Sequence, residues 1–320
     1  MRLDRSTPTL AILIPCLNEE EMISTTIESL SKILDQLIKQ SSISTESFLF
    51  FIDDGSTDNT WEKIQTAACL QPKIIHGLKL SRNFGHQNAL FSGLLSIKDK
   101  CDISISIDAD LQQDPYAIVE FINQYKIGAE IVFGIRSNRT SDSFLKKHTA
   151  QFFYKFIIFC GVKIIPNHAD YRLLSNKAVS TLAQYSEPNL FLRAICNNLG
   201  YKTAKVTFNV SPRAIGESKY SLNKMLSLAS QGILSFSIAP LRFIALLGVC
   251  IFALSLLMSS YILIQSLVVG GTVPGWASTV LPIYLIGGLQ ILCLGIIGEY
   301  LGKIYTTTQK RPNFIIEEEI

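Results

Sequence analysis

Phe48-Leu49-Phe50-Phe51-Ile52-Asp53-Asp54-Gly55-Ser56-Thr57-Asp58 decides the fold class. Five apolar residues run on without a polar break, then stop at two acids and a glycine. A short continuous apolar run bounded by turn residues is the pattern of a strand buried on both faces. The Ser, Thr and Asp that follow can start a helix, because their side chains accept from its first N–H groups. The unit recurs along the chain. Residues 10–14 read as a strand ending in Pro15-Cys16-Leu17-Asn18-Glu19-Glu20-Glu21, and a helix is predicted over roughly 20–39, with acids where its dipole favours them. Runs 73–80, 103–107 and 131–135 lead into Ser81-Arg82-Asn83-Phe84-Gly85-His86-Gln87, Asp108-Ala109-Asp110-Leu111-Gln112-Gln113-Asp114-Pro115 and Arg136. Strands alternating with helical stretches predict an α/β fold with a mostly parallel sheet.

Each polar cluster follows a strand. Open α/β sheets bind ligands at the carboxyl ends of their strands, so these clusters are expected to converge on one cleft. Neither G-x-G-x-x-G nor G-x-x-x-x-G-K-[ST] occurs, which removes a dinucleotide fingerprint and a P-loop from consideration. Asp108 and Asp110 are the sharpest chemical signal. Two carboxylates one residue apart at the end of a buried strand repel each other unless a cation sits between them. Their hard oxygens suit Mg²⁺ or Mn²⁺, which binds one or two carboxylates together with substrate phosphates.

Composition adds a membrane. Of 320 residues, 48% are hydrophobic and 17% charged, against about 25% charged in a typical soluble domain. The 18 Phe and 11 Tyr exclude a disordered chain. A net charge of +3 without a basic run argues against a nucleic-acid partner. Seven cysteines, odd in number and with no Cys-x-x-Cys, argue against a disulfide framework or zinc site and for a reducing compartment. Residues 243–298 contain no Asp, Glu, Lys or Arg. A spanning helix needs ~20 apolar residues, so two spans are predicted, at 243–267 and 279–301, joined through Gly270-Gly271-Thr272-Val273-Pro274-Gly275-Trp276.

Arg242 precedes the first span and Lys303, Lys310 and Arg311 follow the second, while the connector carries no cation. Positive-inside logic places both termini and the large N-terminal region in the cytoplasm. Glycines 287, 288, 295, 298 and 302 give the second span a small-residue face, suited to packing of the two spans or to a homo-oligomer. Residues 144–158 interleave lysines with aromatics, and 221–235 have helical apolar spacing. Both fit helices at the membrane interface and equally ordinary core helices with a solvated face. His76, His86 and His168 read as structural histidines, and Glu317-Glu318-Glu319 as a disordered tail.

Pro15-Cys-Leu-Asn18-Glu19-Glu20, Asp53-Asp54-Gly-Ser-Thr-Asp58, Asp108-Ala-Asp110-Leu-Gln112, Asp170-Tyr-Arg172 and Arg213-Ala-Ile-Gly216-Glu-Ser218-Lys219 occur in an order that resembles family 2 glycosyltransferases of the GT-A fold. More narrowly, the chain resembles the polyprenyl-phosphate branch, which includes dolichol-phosphate mannose synthases and bactoprenol-phosphate glucosyltransferases. Ser81-Arg82-Asn83-Phe84-Gly85-His86 and the paired spans favour the bacterial subgroup, and the likeness runs over roughly 9–312. Gln113-Asp114-Pro115 departs from it, since relatives often have one residue fewer there.

The resemblance implies a GT-A core at 1–145, an acceptor-side region at 146–241, two spans within 242–303 and a cytoplasmic tail at 304–320. It implies that Pro15, Asn18, Glu19 and Asp53 line the base and ribose pocket and that Asp108 faces the donor sugar. Asp110 and Gln112 would hold the divalent metal on the diphosphate. Arg136, assisted by Arg139 or Lys147, would meet the acceptor phosphate, and Arg213, Ser218 and Lys219 would close over the phosphates. Asp170 stands where the family has an acid often proposed as catalytic base, or else orders the acceptor or the donor hydroxyls, with Arg172 orienting it and counted among the residues that meet the acceptor phosphate. The implied reaction is an inverting transfer of a hexose, glucose from UDP-glucose by preference, to undecaprenyl phosphate on the cytoplasmic face of the plasma membrane, for surface-polysaccharide modification. GDP-mannose or a UDP-aminosugar is the alternative donor. A non-catalytic lipid-phosphate scaffold or flippase is the reading from another class. A processive synthase is disfavoured because Gln-x-x-Arg-Trp is absent.

Overall fold

Residue 13, at 0% exposure, belongs to β1 (Leu10–Cys16), which lies mid-sheet and is buried along its whole length. The computed structural model describes residues 5–137, 168–185, 192–209 and 276–320, with residues 244, 246, 250 and 257. After β1 come α1 (Ile23–Lys39), β2 (Phe48–Asp53), α2 (Thr60–Leu70), β3 (Ile75–Leu80), α3 (His86–Ser96), β4 (Ile103–Ser106), α4 (Ala117–Lys126) and β5 (Ile131–Arg136). Then follow β6 (His168–Ser175), α5 (Asn176–Leu182), α6 (Leu192–Asn198), β7 (Thr203–Phe208), α7 (Trp276–Thr308) and β8 (Ile316–Glu319).

Among the described residues the strands form one eight-stranded sheet in the order β7-β5-β6-β4-β1-β2-β3-β8. β4, β1, β2 and β3 pair in parallel, as do β5 and β7, while β6 runs antiparallel between β4 and β5. The apolar runs read from sequence are therefore interior strands with both faces covered. On α1 the buried residues Ile23, Leu30, Leu34 and Leu37 recur at helical spacing and put one stripe on the sheet. Each such side chain contributes about 1.5–3 kcal/mol. The helix begins later than the sequence predicts because the acids ahead of it are used in a turn: the Met22 and Ile23 N–H groups both donate to Glu19 O.

Three strands were not foreseen. β6, His-Ala-Asp-Tyr-Arg-Leu-Leu-Ser, mixes charges with apolar residues and has no continuous run. β7 alternates, with Val206 and Phe208 buried between exposed neighbours. Both lie beyond residue 145, so the sheet does not end at the boundary expected there. β8 corrects the disordered tail: its residues pair antiparallel with β3, and Gly77 and Ile320 exchange backbone hydrogen bonds of 3.0 and 2.9 Å. Glu317 faces Lys79 at 3.3 Å, Glu319 faces Lys100 at 3.2 Å, and Glu318 accepts from Trp61 Nε1 at 3.0 Å and Gln65 Nε2 at 2.8 Å.

By its contacts the chain divides in two units. The sheet, together with residues Pro312–Ile320, forms one; α7 belongs to the other. α7 contains the expected second span, 279–301. The expected first span, 243–267, lies outside the described residues except at 244, 246, 250 and 257. Among the described residues no helix is long and apolar enough to cross a membrane, so the predicted hairpin is not seen there. The expected interfacial segments 144–158 and 221–235 also lie outside the described residues.

Candidate active site

The ends of β1 and β2 carry the first half of the site. Their register sets Cys16 opposite Asp53, and the Asp54 N–H donates to Cys16 O at 2.9 Å. The following loops are laced together. Asn18 N donates to Ser56 Oγ at 2.9 Å and its Oδ1 accepts from Thr57 N at 2.9 Å; Glu19 N donates to Thr60 Oγ1 at 2.9 Å. Asn18 takes a left-handed backbone, φ 53°, which asparagine tolerates better than most residues. Pro15 is buried within β1. Asp53 is fully buried. Its Oδ2 accepts from Ser56 N at 3.1 Å, while Oδ1 has no hydrogen-bond partner among the described residues. Burial pushes its pKa up, against the pull of the Ser56 hydrogen bonds.

Asp54 points the next loop. Its two carboxylate oxygens accept from Phe84 N at 2.7 Å and Gly85 N at 3.0 Å, just ahead of α3. This sets His86 and Gln87 in the first turn of α3. From the far side, Ser106 at the end of β4 donates its hydroxyl to Asp170 O at 2.5 Å, which fixes β6 beside the Asp108 loop.

Asp108 Oδ2 accepts from Gln113 Nε2 at 2.6 Å, and Asp108 N donates to Gln113 Oε1 at 3.2 Å. Gln113 is thus the buried clamp of the Asp108 backbone and side chain, a role that sequence reasoning did not assign. Burial raises the Asp108 pKa; His86 and Arg136 oppose it, and Asp170 and Asp110 add to it. Two residues on, Asp110 Oδ1 accepts from Gln112 N at 3.1 Å across Leu111, whose φ of 51° turns the chain tightly. The turn keeps a carboxylate and an amide oxygen, both half-buried, within one short loop. This hard-oxygen set fits a divalent cation that draws its remaining ligands from substrate phosphates and water. Among the described residues no group of three His, Cys, Asp or Glu could hold an ion without such help.

Asp170 carries the densest polar cluster. Arg172 Nη2 donates to its Oδ1, Arg193 Nε to Oδ1 at 3.1 Å, Arg193 Nη2 to Oδ2 at 2.7 Å and Gln87 Nε2 to Oδ2 at 3.3 Å. Burial alone would raise the pKa of Asp170, but Arg193 and Arg172 outweigh it and hold the carboxyl well below the usual carboxylate range. His86 Nε2 lies 3.6 Å from Asp170 Oδ2 and 3.9 Å from Asp108 Oδ1. That corrects the reading of His86 as a structural histidine: it bridges the two carboxylates of the site.

Arg172 is corrected as well. It orients Asp170 as expected, but at 2% side-chain exposure, with Nη1 3.6 Å from Cys196 Sγ, it is not open to an acceptor phosphate. Arg136 is exposed at the carboxyl end of β5. Arg139, Lys147, Arg213, Ser218 and Lys219 lie outside the described residues. The structure therefore brings Asp108 and Asp170 together through His86 and sets the Asp110-Gln112 turn directly after Asp108. Gln87 and Gln113 lie in strand-end clusters read from the sequence but were given no role there, and Arg193 had no motif to announce it.

A strand-end cluster of this kind on a mostly parallel sheet defines a ligand-binding α/β domain. Residues 11–194 match the model of the family described as Glycosyl transferase family 2. The chain is 44% identical over 316 residues to an uncharacterized glycosyltransferase of Bacillus subtilis (strain 168), YkoT, covering 99% of this chain and 93% of that one. It is 35% identical over 311 residues to the bactoprenol glucosyl transferase of Shigella phage SfV, covering 97% and 98% respectively. Among solved structures it resembles the mannosyltransferase PcManGT from Pyrobaculum calidifontis, at 13% identity and a TM-score of 0.46, over 92% of this chain and 87% of that one. The chain belongs to glycosyl transferase family 2 and is an enzyme of the hexosyltransferase class. Within the family it falls in the polyprenyl-phosphate branch, with relatives named bactoprenol glucosyl transferase.

Proposed function

We propose that this enzyme moves glucose from UDP-glucose to undecaprenyl phosphate at the cytoplasmic face of the plasma membrane, held there by two spans within 242–303. The observation that carries this reading is the placement of Asp53, Asp108 and Asp110 at the carboxyl ends of β2 and β4, the parallel strands on either side of β1, in a chain with full-length likeness to bactoprenol glucosyl transferases. The charge-free run 243–298 supports the anchor.

In this mechanism Asp53 offers its unpartnered buried oxygen to an N–H or O–H of the nucleoside, beside Pro15, Asn18 and Glu19. Asp108, held by Gln113, faces the sugar hydroxyls. Asp110 and Gln112 are the residues that would hold Mg²⁺ or Mn²⁺; when bound, that cation neutralises charge on the diphosphate. An acceptor phosphate oxygen forms the new bond to the anomeric carbon. The bond from that carbon to the donor diphosphate breaks and its electron pair leaves with UDP, inverting the centre. A monoester phosphate has a second pKa near ~6, so at neutral pH most acceptor attacks without losing a proton. Arg136, Arg139, Lys147, Arg213, Ser218 and Lys219 supply the cations and hydroxyl that balance the two phosphates.

The test uses detergent-purified protein with undecaprenyl phosphate, Mg²⁺ or Mn²⁺, and a panel of UDP- and GDP-sugars, reading the lipid by mass spectrometry. A hexose adduct formed from UDP-glucose and lost in Asp110→Ala is expected. An adduct from GDP-mannose or a UDP-aminosugar alone would replace the donor, and binding of lipid phosphate without turnover of any donor would overturn the reading.

A further inference from the structure

Gln113 occupies one oxygen of Asp108 and leaves the other open. Itself buried, it donates from Nε2 to Asp108 Oδ2 at 2.6 Å and accepts from Asp108 N at 3.2 Å. The carboxylate is thereby held in one rotation, and Oδ1 accepts no hydrogen bond among the described residues. The Asp108 side chain is 34% exposed, and Oδ1 meets solvent. Facing it is His86, whose Nε2 lies 3.9 Å from Asp108 Oδ1 and 3.6 Å from Asp170 Oδ2, beyond hydrogen-bond distance of both. Asp170 Oδ2 already accepts from Arg193 Nη2 at 2.7 Å and from Gln87 Nε2 at 3.3 Å. The imidazole and Asp108 Oδ1 therefore each have a hydrogen bond still to make.

Both groups are fixed in place. Asp54 holds the two residues before His86, through Phe84 N at 2.7 Å and Gly85 N at 3.0 Å. Two carboxylate oxygens facing Nε2 select the tautomer that carries its proton there, and the protonated ring carries one there as well. Nε2 is a donor in either state. A fixed acceptor and a fixed donor 3.9 Å apart can share one oxygen atom at about 2.7 and 2.9 Å, with roughly a right angle between the two bonds. That oxygen has to give a proton to Asp108 and take a hydrogen bond from His86, which is what an alcohol does. An ionised phosphate oxygen has no proton to give and would meet Oδ1 charge against charge. The gap selects a hydroxyl over an anion.

We propose that His86 Nε2 and Asp108 Oδ1 together bind one hydroxyl of the transferred hexose, which makes His86 a specificity-determining residue for the donor sugar. This rests on the glycosyl-transfer reading above. The hexose is favoured over the ribose because Asp53, with its own open oxygen, stands at the end of β2, on the other side of β1 from Asp108.

Full-length protein, His86→Phe and His86→Gln are compared on UDP-glucose, or the donor that replaces it in the lipid assay, and on the monodeoxy analogues of that sugar nucleotide. Equilibrium binding with Mn²⁺ and transfer kinetics are both measured, with the sugar-free nucleotide as control ligand. Wild type is expected to prefer the parent donor to one of the analogues by at least about tenfold, in binding and in kcat/KM. His86→Phe, whose ring has no N–H, is expected to shrink that one preference to about threefold or less while binding the sugar-free nucleotide within about twofold of wild type. His86→Gln restores an N–H on a side chain of similar reach and is expected to fall between the two. Unfolding temperatures are read alongside, and His86→Ala takes the place of His86→Phe where the larger ring destabilises the fold. Three results overturn the proposal: wild type accepting every analogue as well as the parent donor, folded His86→Phe keeping wild-type selectivity, or His86→Phe losing the sugar-free nucleotide as fully as the donor. Absent transfer in wild type, with the His86-dependent selectivity present in binding, overturns the glycosyl-transfer reading and leaves the assignment of His86 standing.

Discussion

Asp53 carries a cost in stability that the nucleoside contact proposed for it would explain. Its Oδ1 is buried without a partner among the described residues, which costs about 1–3 kcal/mol, and burial raises its pKa. A carboxyl whose folded-state pKa is raised binds protons more tightly folded than unfolded. The cost is therefore complete at neutral pH and fades as pH falls through the raised value toward the ordinary ~3.9. Asp53→Asn is expected to unfold at equal or higher denaturant concentration than wild type at pH 7, to lose that advantage near pH 4, and to bind UDP about tenfold more weakly. Denaturant titrations at the two pH values, with UDP binding alongside, check all three. Asp170 has the opposite sign. Its lowered pKa gives stability that is present above ~4 and lost as pH falls below that. Much of this was legible at the residue scale: Asp53, Asp108 and Asp110 announce themselves by ending apolar runs. Arg193 does not, and Gln87, although it closes a strand-end cluster, gives no sign of its partner, because the two reach Asp170 from 23 and 83 residues away and no local pattern records the meeting.

Among the elements, the loops after β2 and β3 have to touch for the site to exist. Gly55 makes that possible. Its φ is +69°, and a Cβ there would lie 2.4 Å from the Arg82 carbonyl carbon and 2.7 Å from Asn83 N. Both are backbone atoms, so the neighbour cannot rotate away. Gly55→Ala is expected to cost about 3 kcal/mol, measured by chemical unfolding, and to reduce transfer by shifting the Ser81–His86 loop. The glycine could be read as a turn residue; the strand pair it separates could not. The strands β1 and β2 were legible for the reason that β6, β7 and β8 were not. A parallel strand covered on both faces tends to a continuous apolar run, whereas an antiparallel insertion bearing Asp170 and Arg172, or an edge strand of glutamates, keeps no such run. Nothing local in Glu317-Glu318-Glu319 speaks of a sheet, since Lys79, Trp61, Gln65 and Lys100 give those acids their places.

On the scale of the whole molecule, the chain leaves the sheet for α7 and then returns to it. β8 covers the edge of β3, which would otherwise present unpaired N–H and C=O groups to other chains. Removing residues 316–320 is expected to lower the unfolding temperature of the catalytic unit by several degrees. It is also expected to raise the aggregated fraction in size-exclusion chromatography, while UDP binding by the remaining soluble protein stays near that of wild type. A truncated chain as monodisperse and heat-resistant as the full one would show that the strand is ornamental. The Trp61–Glu318 hydrogen bond spans 257 residues of sequence, and that separation has a consequence in time. On the ribosome, the sheet edge must wait uncovered while everything from Leu80 to Ile316 is synthesised. At about 5–20 residues per second, the wait lasts for tens of seconds at the slower end of that range. Nascent chains of this enzyme therefore pass through a stage in which β1, β2 and β3 are already made while the outer edge of β3 is still open, and it is then that a chaperone has a strand to hold.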